Sequence, residues 1–154
     1  MRKKHIFSLL AGVSLLFTAS PALAGTSSVS SLLAAVNAAR TSHGLRPVHL
    51  SPVLARAARS HSTDMLQHDY FAHGDFGGRM ASFRVPGPTV GENLAWGTGR
   101  YGEAPSIVQE WLASPEHRAN LLRPGYSRIG FGIARGSFLG SGAATVVTAD
   151  FAGR

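Results

Sequence analysis

Arg128-Ile129-Gly130-Phe131-Gly132-Ile133-Ala134 places an apolar side chain at every second position, with glycine between. That period of two predicts a strand with one face built for a core. Ala144 to Phe151 is a second β-rich run, and Ser137 to Gly142 makes a hairpin connection between them. Everything upstream reads as helix or loop. Val29 to Arg40 carries Val29, Leu32, Leu33, Val36 and Ala39 at helical spacing, closed by Ser42-His43-Gly44 with Gly44 as the C-cap residue. Ser51-Pro52 opens a helix that should run to about His68, with Leu54, Ala57, Ala58, His61 and Met65 on its inner face. Ala104 to Ala113 is a third helix, and Ser114-Pro115 starts a fourth that ends near Leu122. Leu45 to Leu50 reads as a link. Asp69 to Pro88 reads as loop with a short helix over Arg79 to Phe83, Val90 to Trp96 as extended or turn-like, and Gly97 to Gly102 as loop. Helices precede strands and no βαβ unit recurs, which points to α+β with an antiparallel sheet.

The N-terminus has a different character. Met1 to His5 is a short positive head, and Ile6 to Ala19 carries no charge. Ser20-Pro21-Ala22-Leu23-Ala24 ends in an A-x-A signature. Together these predict a secretory signal peptide over residues 1–24, cleaved after Ala24, and one domain over 25–154. At about 14 residues the apolar run is shorter than the roughly 20 that span a bilayer, and no later segment qualifies. The expected address is the periplasm or the medium, with no stable membrane span after cleavage. Arg2, Lys3 and Lys4 leave with the segment, which lowers the formal charge from +7 to +4. Lys3 and Lys4 are the only lysines, and the remaining arginines are spread from Arg40 to Arg154. No linear basic tract of the kind that grips nucleic acid is present. The absence of cysteine excludes thiolate catalysis and cysteine-based metal sites.

Several segments then read together, in order. They are Val36-Asn37-x-x-Arg40 with Gly44-Leu45-x-Pro47, Leu54-Ala-x-Ala-Ala-x-x-His61-Ser62-x-Asp64-Met65, and Tyr70-Phe71-Ala72-His73. Gly91-Glu92-Asn93-Leu94-Ala95 and Trp111-x-x-Ser114-Pro115-x-His117-Arg118-x-Asn120-Leu121-Leu122 follow, then Ile129-Gly130-x-Gly132 and Asp150-Phe151. This series resembles the CAP superfamily, the SCP domain of cysteine-rich secretory, antigen 5 and pathogenesis-related-1 proteins, in its short bacterial form. The resemblance covers about Val29 to Phe151. It implies an α-β-α sandwich, a small antiparallel sheet with helices on both faces, and a cleft where two His and two Glu converge and sometimes hold a divalent metal. His73 and His117 match the two His, and Glu92 matches the first Glu. The second Glu position is Ser114, with Glu110 or Glu116 as the nearest substitutes. The resemblance also allows sterol or other lipid binding.

Read from the residues alone, two neutral imidazoles and a carboxylate suit Zn²⁺ with an open fourth position. Without metal the same trio can accept and relay protons near neutral pH, or form a buried polar network that ties three segments together. Three functions follow. One is an exported, non-enzymatic binding module for a small apolar ligand, a lipid or an envelope component, with His73, Glu92, Asn93 and His117 lining its cleft. Another is a metal-dependent hydrolase or peptidase using His73, Glu92 and His117, and the last is a structural envelope protein. His61 is expected to be a core histidine bonded to a backbone carbonyl or a nearby carboxylate. Trp96 and Trp111 are expected in the core or cleft wall, and His43, His49 and His68 receive no role. Gly97-Thr98-Gly99-Arg100-Tyr101-Gly102 fits G-x-G-x-x-G. It lacks the βαβ context that gives that pattern its meaning, so nucleotide binding is not expected. H-E-x-x-H and G-x-S-x-G are absent.

Overall fold

The computed structural model describes the backbone of residues 21–154 and the side chains from residue 29 onward. The expected export segment therefore lies almost wholly outside the described residues. The element order is α1 (Pro21–Ser42), β1 (His49–Leu50), α2 (Pro52–His68), α3 (Phe76–Ser82), β2 (Thr89–Thr98), a 3-10 turn (Gly99–Gly102), α4 (Ala104–Ala113), α5 (Pro115–Leu121), β3 (Tyr126–Phe138) and β4 (Ser141–Gly153). The sheet order is β1-β3-β4-β2. The β3–β4 hairpin turns through Leu139 and Gly140, at φ 45° and 80°, as two-residue hairpins with positive φ at both positions do. β2 pairs antiparallel with β4, with Glu92 opposite Asp150.

Helices cover both faces of the sheet. Ile129 and Phe131 of β3, with Val147, Ala149 and Phe151 of β4, pack with Leu32 and Val36 of α1 and Ile107, Val108 and Trp111 of α4. On the opposite face, Leu94, Val146 and Phe138 pack with Met65 of α2, and Ala152 packs with Leu54, Ala57 and Met80. The glycines of the β3 pattern lie on this second face. A Cβ on Gly130 would overlap the α2 backbone at Leu54 and Ala55, and one on Gly132 would overlap it at Ala58. Helix α2, with Ala57 and Ala58 inward, therefore lies directly against the strand backbone.

A second constraint is Arg40, which is fully buried. Its Nε donates to Arg46 O (3.1 Å), Nη1 to Leu121 O (2.8 Å) and Arg123 O (3.2 Å), and Nη2 to Tyr126 O (3.1 Å). The Asn37 amide donates to Val48 O (3.0 Å) and its Oδ1 accepts from Val48 N (2.9 Å). The Asn37-x-x-Arg40 pair thus fastens α1 to the link before β1 and to the turn before β3. Buried carbonyls need donors, and these two side chains supply them.

The sandwich agrees with the expectation, and four details of the reading change. The sheet is mixed, because β1 runs parallel to β3; two residues carry no periodic signal. The segment from Val90 onward is one long strand that takes in Gly97 and Thr98. The short helix begins at Phe76, where the Asp75 side chain caps the N–H of Gly78 at 2.8 Å. Helix α1 begins upstream of Val29. The glycine-rich Gly97 to Gly102 stretch joins an antiparallel strand to a helix, which is no dinucleotide cradle. Among the described residues, no helix is long and apolar enough to cross a membrane.

Gly132→Ala is expected to destabilise the protein by about 1–3 kcal/mol, because α2 must back away from β3. Urea unfolding measures this, and a loss below about 0.5 kcal/mol would show that the close approach is not required.

Candidate functional site

Strand β2 lies at the edge of the sheet, and its residues point three ways. The Glu92 side chain lies on the α2 face and is almost fully buried. The Asn93 side chain lies on the other face, where Nδ2 donates to His117 O (2.9 Å) and Oδ1 accepts from Asn120 Nδ2 (3.2 Å). The outward carbonyls of Glu92 and Leu94 accept from Asn120 Nδ2 and Trp111 Nε1, each at 2.9 Å. The exposed edge is therefore closed by side chains of α4 and α5. Gly91 precedes Glu92 at a point where a Cβ would strike the Tyr126 hydroxyl.

Glu92 is the hub of the polar network. Its Oε1 accepts from His73 Nδ1 at 2.7 Å, and its Oε2 pairs with the Arg79 guanidinium. His61 Nε2 lies 3.9 Å from Oε2 but is directed to Ala72 O at 3.0 Å. Burial holds His61 below the usual imidazole range, and the nearby Glu92 charge pulls it part of the way back. Arg79 also donates to His73 O (3.3 Å) and lies over the Phe76 ring.

The segment that carries His73 is tied down at several points. The Tyr70 hydroxyl bonds Asp64 of α2, and that bond raises the Tyr70 hydroxyl to about 12. Asp64 also meets His68 at 3.0 Å. Inside the sandwich, Ser62 Oγ donates to Thr148 Oγ1 at 2.8 Å. The His61-Ser62-x-Asp64 motif on α2 therefore clamps the loop with two residues and the sheet with the third.

Asp150 stands opposite Glu92 across the strands and is fully buried. Neither of its oxygens has a conventional donor. Burial raises its carboxyl to about 8, and the neighbouring Glu92 charge adds to the effect. Charge balance gives the reason. One guanidinium serves two buried carboxyls, so holding a proton on Asp150 leaves Glu92 and Arg79 as a neutral pair.

A cleft of about 380 Å³ opens where His73, Phe76 and Glu92 meet Glu116, His117 and Asn120. The expected residues His73, Glu92 and His117 all line it, whereas Asn93 lies behind it as a support. His117 Nδ1 is buried without a partner. Ser114 stands at the α4–α5 junction without a side-chain cap bond. Of the two substitutes for the second Glu, Glu116 lines the cleft and Glu110 does not. Trp111 is core, and Trp96 packs edge-on to Phe138 at 5.5 Å. The sequence marks Arg79 only as the start of a short helix and Asp150 only as part of a motif, yet both stand at the centre of the network. An arginine or aspartate carries no local signal of burial, so only the cross-strand register and the α3 position reveal them.

The donor set does not fit a divalent metal as it is placed. Both Glu92 oxygens are engaged, one of them by a cation, and the second Glu position is Ser114. Among the described residues, no group of three or more His, Asp or Glu side chains is placed to hold a metal ion.

A family model described as CAP, the cysteine-rich secretory protein family, matches residues 33–151. The uncharacterized protein YkwD of Bacillus subtilis is 37% identical over 101 residues, covering 62% of this chain and 38% of that protein. The uncharacterized membrane protein YlbC of the same organism is 33% identical over 115 residues, covering 71% and 32%. The chain thus spans about a third of the length of the curated relatives it matches. An SCP-domain extracellular protein of Bacillus anthracis superposes with a TM-score of 0.71 at 24% identity, over 90% of this chain and 45% of that one. An outer surface protein of Borrelia burgdorferi superposes at 0.66 and 20%, over 83% and 94%. These two structures share the fold.

The raised Asp150 carboxyl sets a pH dependence. The folded chain keeps a proton that the unfolded chain releases near pH 4, so this contribution to stability is full in acid and is lost as pH rises toward 8. Asp150→Asn keeps a donor toward Glu92 and cannot titrate. Its melting temperature relative to the parent is expected to climb between pH 4 and pH 8, by the equivalent of about 1 kcal/mol or more. A difference flat with pH would mean that Asp150 holds no such proton.

Proposed function

The chain belongs to the cysteine-rich secretory protein (CAP) family, and from that premise we propose that it is an exported, non-catalytic domain whose cleft binds a small polar component of the cell envelope. The observation that carries the reading is the engagement of Glu92. A general base or a metal ligand needs a carboxylate lone pair aimed at the substrate. Here one oxygen faces His73 and the other faces Arg79. What remains open to a ligand is hydrogen-bonding capacity on the walls: the exposed His73 ring, the His117 ring and Glu116, while the Asn120 amide is engaged by Glu92 O and Asn93. A volume of about 380 Å³ suits a small ligand. Only Phe76 and Val90 offer apolar side-chain surface there, which favours a polar ligand over a lipid. Export is supported by the N-terminal head, apolar run and A-x-A signature, and by the extracellular and outer-surface proteins that share the fold.

The test is calorimetric titration with soluble glycan and peptide fragments of a bacterial envelope. Saturable binding is expected, weakened about two- to tenfold in His117→Ala, the loss of one neutral hydrogen bond. Zn²⁺ at micromolar concentration is expected to leave the melting temperature unchanged. A rise abolished by both His73→Ala and His117→Ala would replace this reading with the metal-dependent hydrolase. The exported protein is expected to begin at Gly25, which N-terminal sequencing checks.

A further inference from the structure

A second groove, of about 560 Å³, shares none of the cleft's lining residues. Arg46, Pro47 and His49 come from the link into β1; residues 124–127 and Arg154 come from the turn into β3 and the residue after β4. None of the chain's 8 acidic residues lines it. None of the ion pairs formed among the described residues involves Arg46, Arg123 or Arg154. Beneath it lies Arg40, a buried guanidinium whose donors are met by carbonyls and not by a carboxylate, which bonds Arg46 O on one side and Arg123 O and Tyr126 O on the other. The same side chain thus holds the two walls in register and adds positive potential from below.

We propose that this groove binds a linear anionic polymer of the cell envelope, its phosphate or carboxylate oxygens received by the guanidinium groups of Arg46 and Arg154. Arginine suits both oxyanions through paired N–H donors. The groove is a recess between two chain segments with one arginine on each, which fits a strand of polymer passing between them and not the plane of a lipid surface. Tyr126 is buried and stacked on Phe151 at 5.2 Å, so its ring is not a stacking platform, and the charged groups of the lining are Arg46 and Arg154. Arginines scattered along the sequence are collected here by the fold, which a search for a linear basic tract does not detect.

The test uses the intact chain with long-chain inorganic polyphosphate and with polygalacturonate, read by fluorescence anisotropy at increasing salt. Saturable binding to at least one is expected, weakening as salt screens the charges. Arg46→Glu and Arg154→Glu are each expected to weaken it roughly tenfold or more, with the melting temperature within about 2 °C of the parent. Arg100→Glu makes the same change in net charge at an exposed position outside the groove, and is expected to leave affinity within about twofold. Equal losses in all three variants would reduce the effect to net charge and overturn the proposal, as would absence of binding to both polymers. Anionic phosphatidylglycerol vesicles that bind more tightly than either polymer, with the same loss in Arg46→Glu, would overturn it in favour of a membrane surface.

Discussion

A carboxylate buried on an edge strand is the interaction on which the rest of this structure depends. Removing Glu92 from water costs several kcal/mol unless donors replace the lost hydration. The donors are His73 and Arg79, from the loop after α2 and from α3. That region is rich in glycine, and its apolar anchors are Phe76, Met80, Phe83 and Val85. Its polar bonds to Glu92, together with His61–Ala72 and Asp64–Tyr70, hold it against α2 and the sheet. Satisfying the charge and shaping the cleft wall are therefore one event. The network is neutral as a unit only when Asp150 keeps its proton, which explains why a second carboxyl can sit opposite Glu92 with no cation of its own.

The absence of disulfides gives the remaining constraints more to do. Gly130 and Gly132 let α2 approach β3 to backbone contact, so the helix is positioned by shape. Arg40 does the corresponding work on the other side, where four carbonyls from three segments converge on one guanidinium. The cleft is set by the first device and the basic groove by the second. Each surface feature inherits its rigidity from a buried one, and rigid walls lower the ordering cost of binding.

Comparing sequence with structure shows where local information ends. The hairpin was legible because Ile129, Phe131 and Ile133 alternate over a long run. Helices α2, α4 and α5 were legible because Ser51-Pro52 and Ser114-Pro115 are start signals and the apolar spacing is helical. β2 was blurred because Gly91, Glu92, Asn93 and Gly97 are poor strand formers; pairing with β4 overrides that preference. β1 was invisible because two residues have no period, and its pairing with β3 alone defines it.

By itself the sequence determined the kinds of elements, their order, the family, and the residues His73, Glu92 and His117 that come to line one cleft. Those are properties of short windows, where side-chain period, capping and motif spacing act between near neighbours. Only the tertiary structure decided that a guanidinium stands against Glu92, that Asp150 lies opposite it where burial raises its carboxyl, and that Asn93 supports the cleft from behind. It also decided that Arg46 and Arg154, far apart in the chain, share a groove above Arg40. Those are electrostatic facts, set by burial and by distances of a few ångströms. Burial and distance arise only when separate segments are packed together.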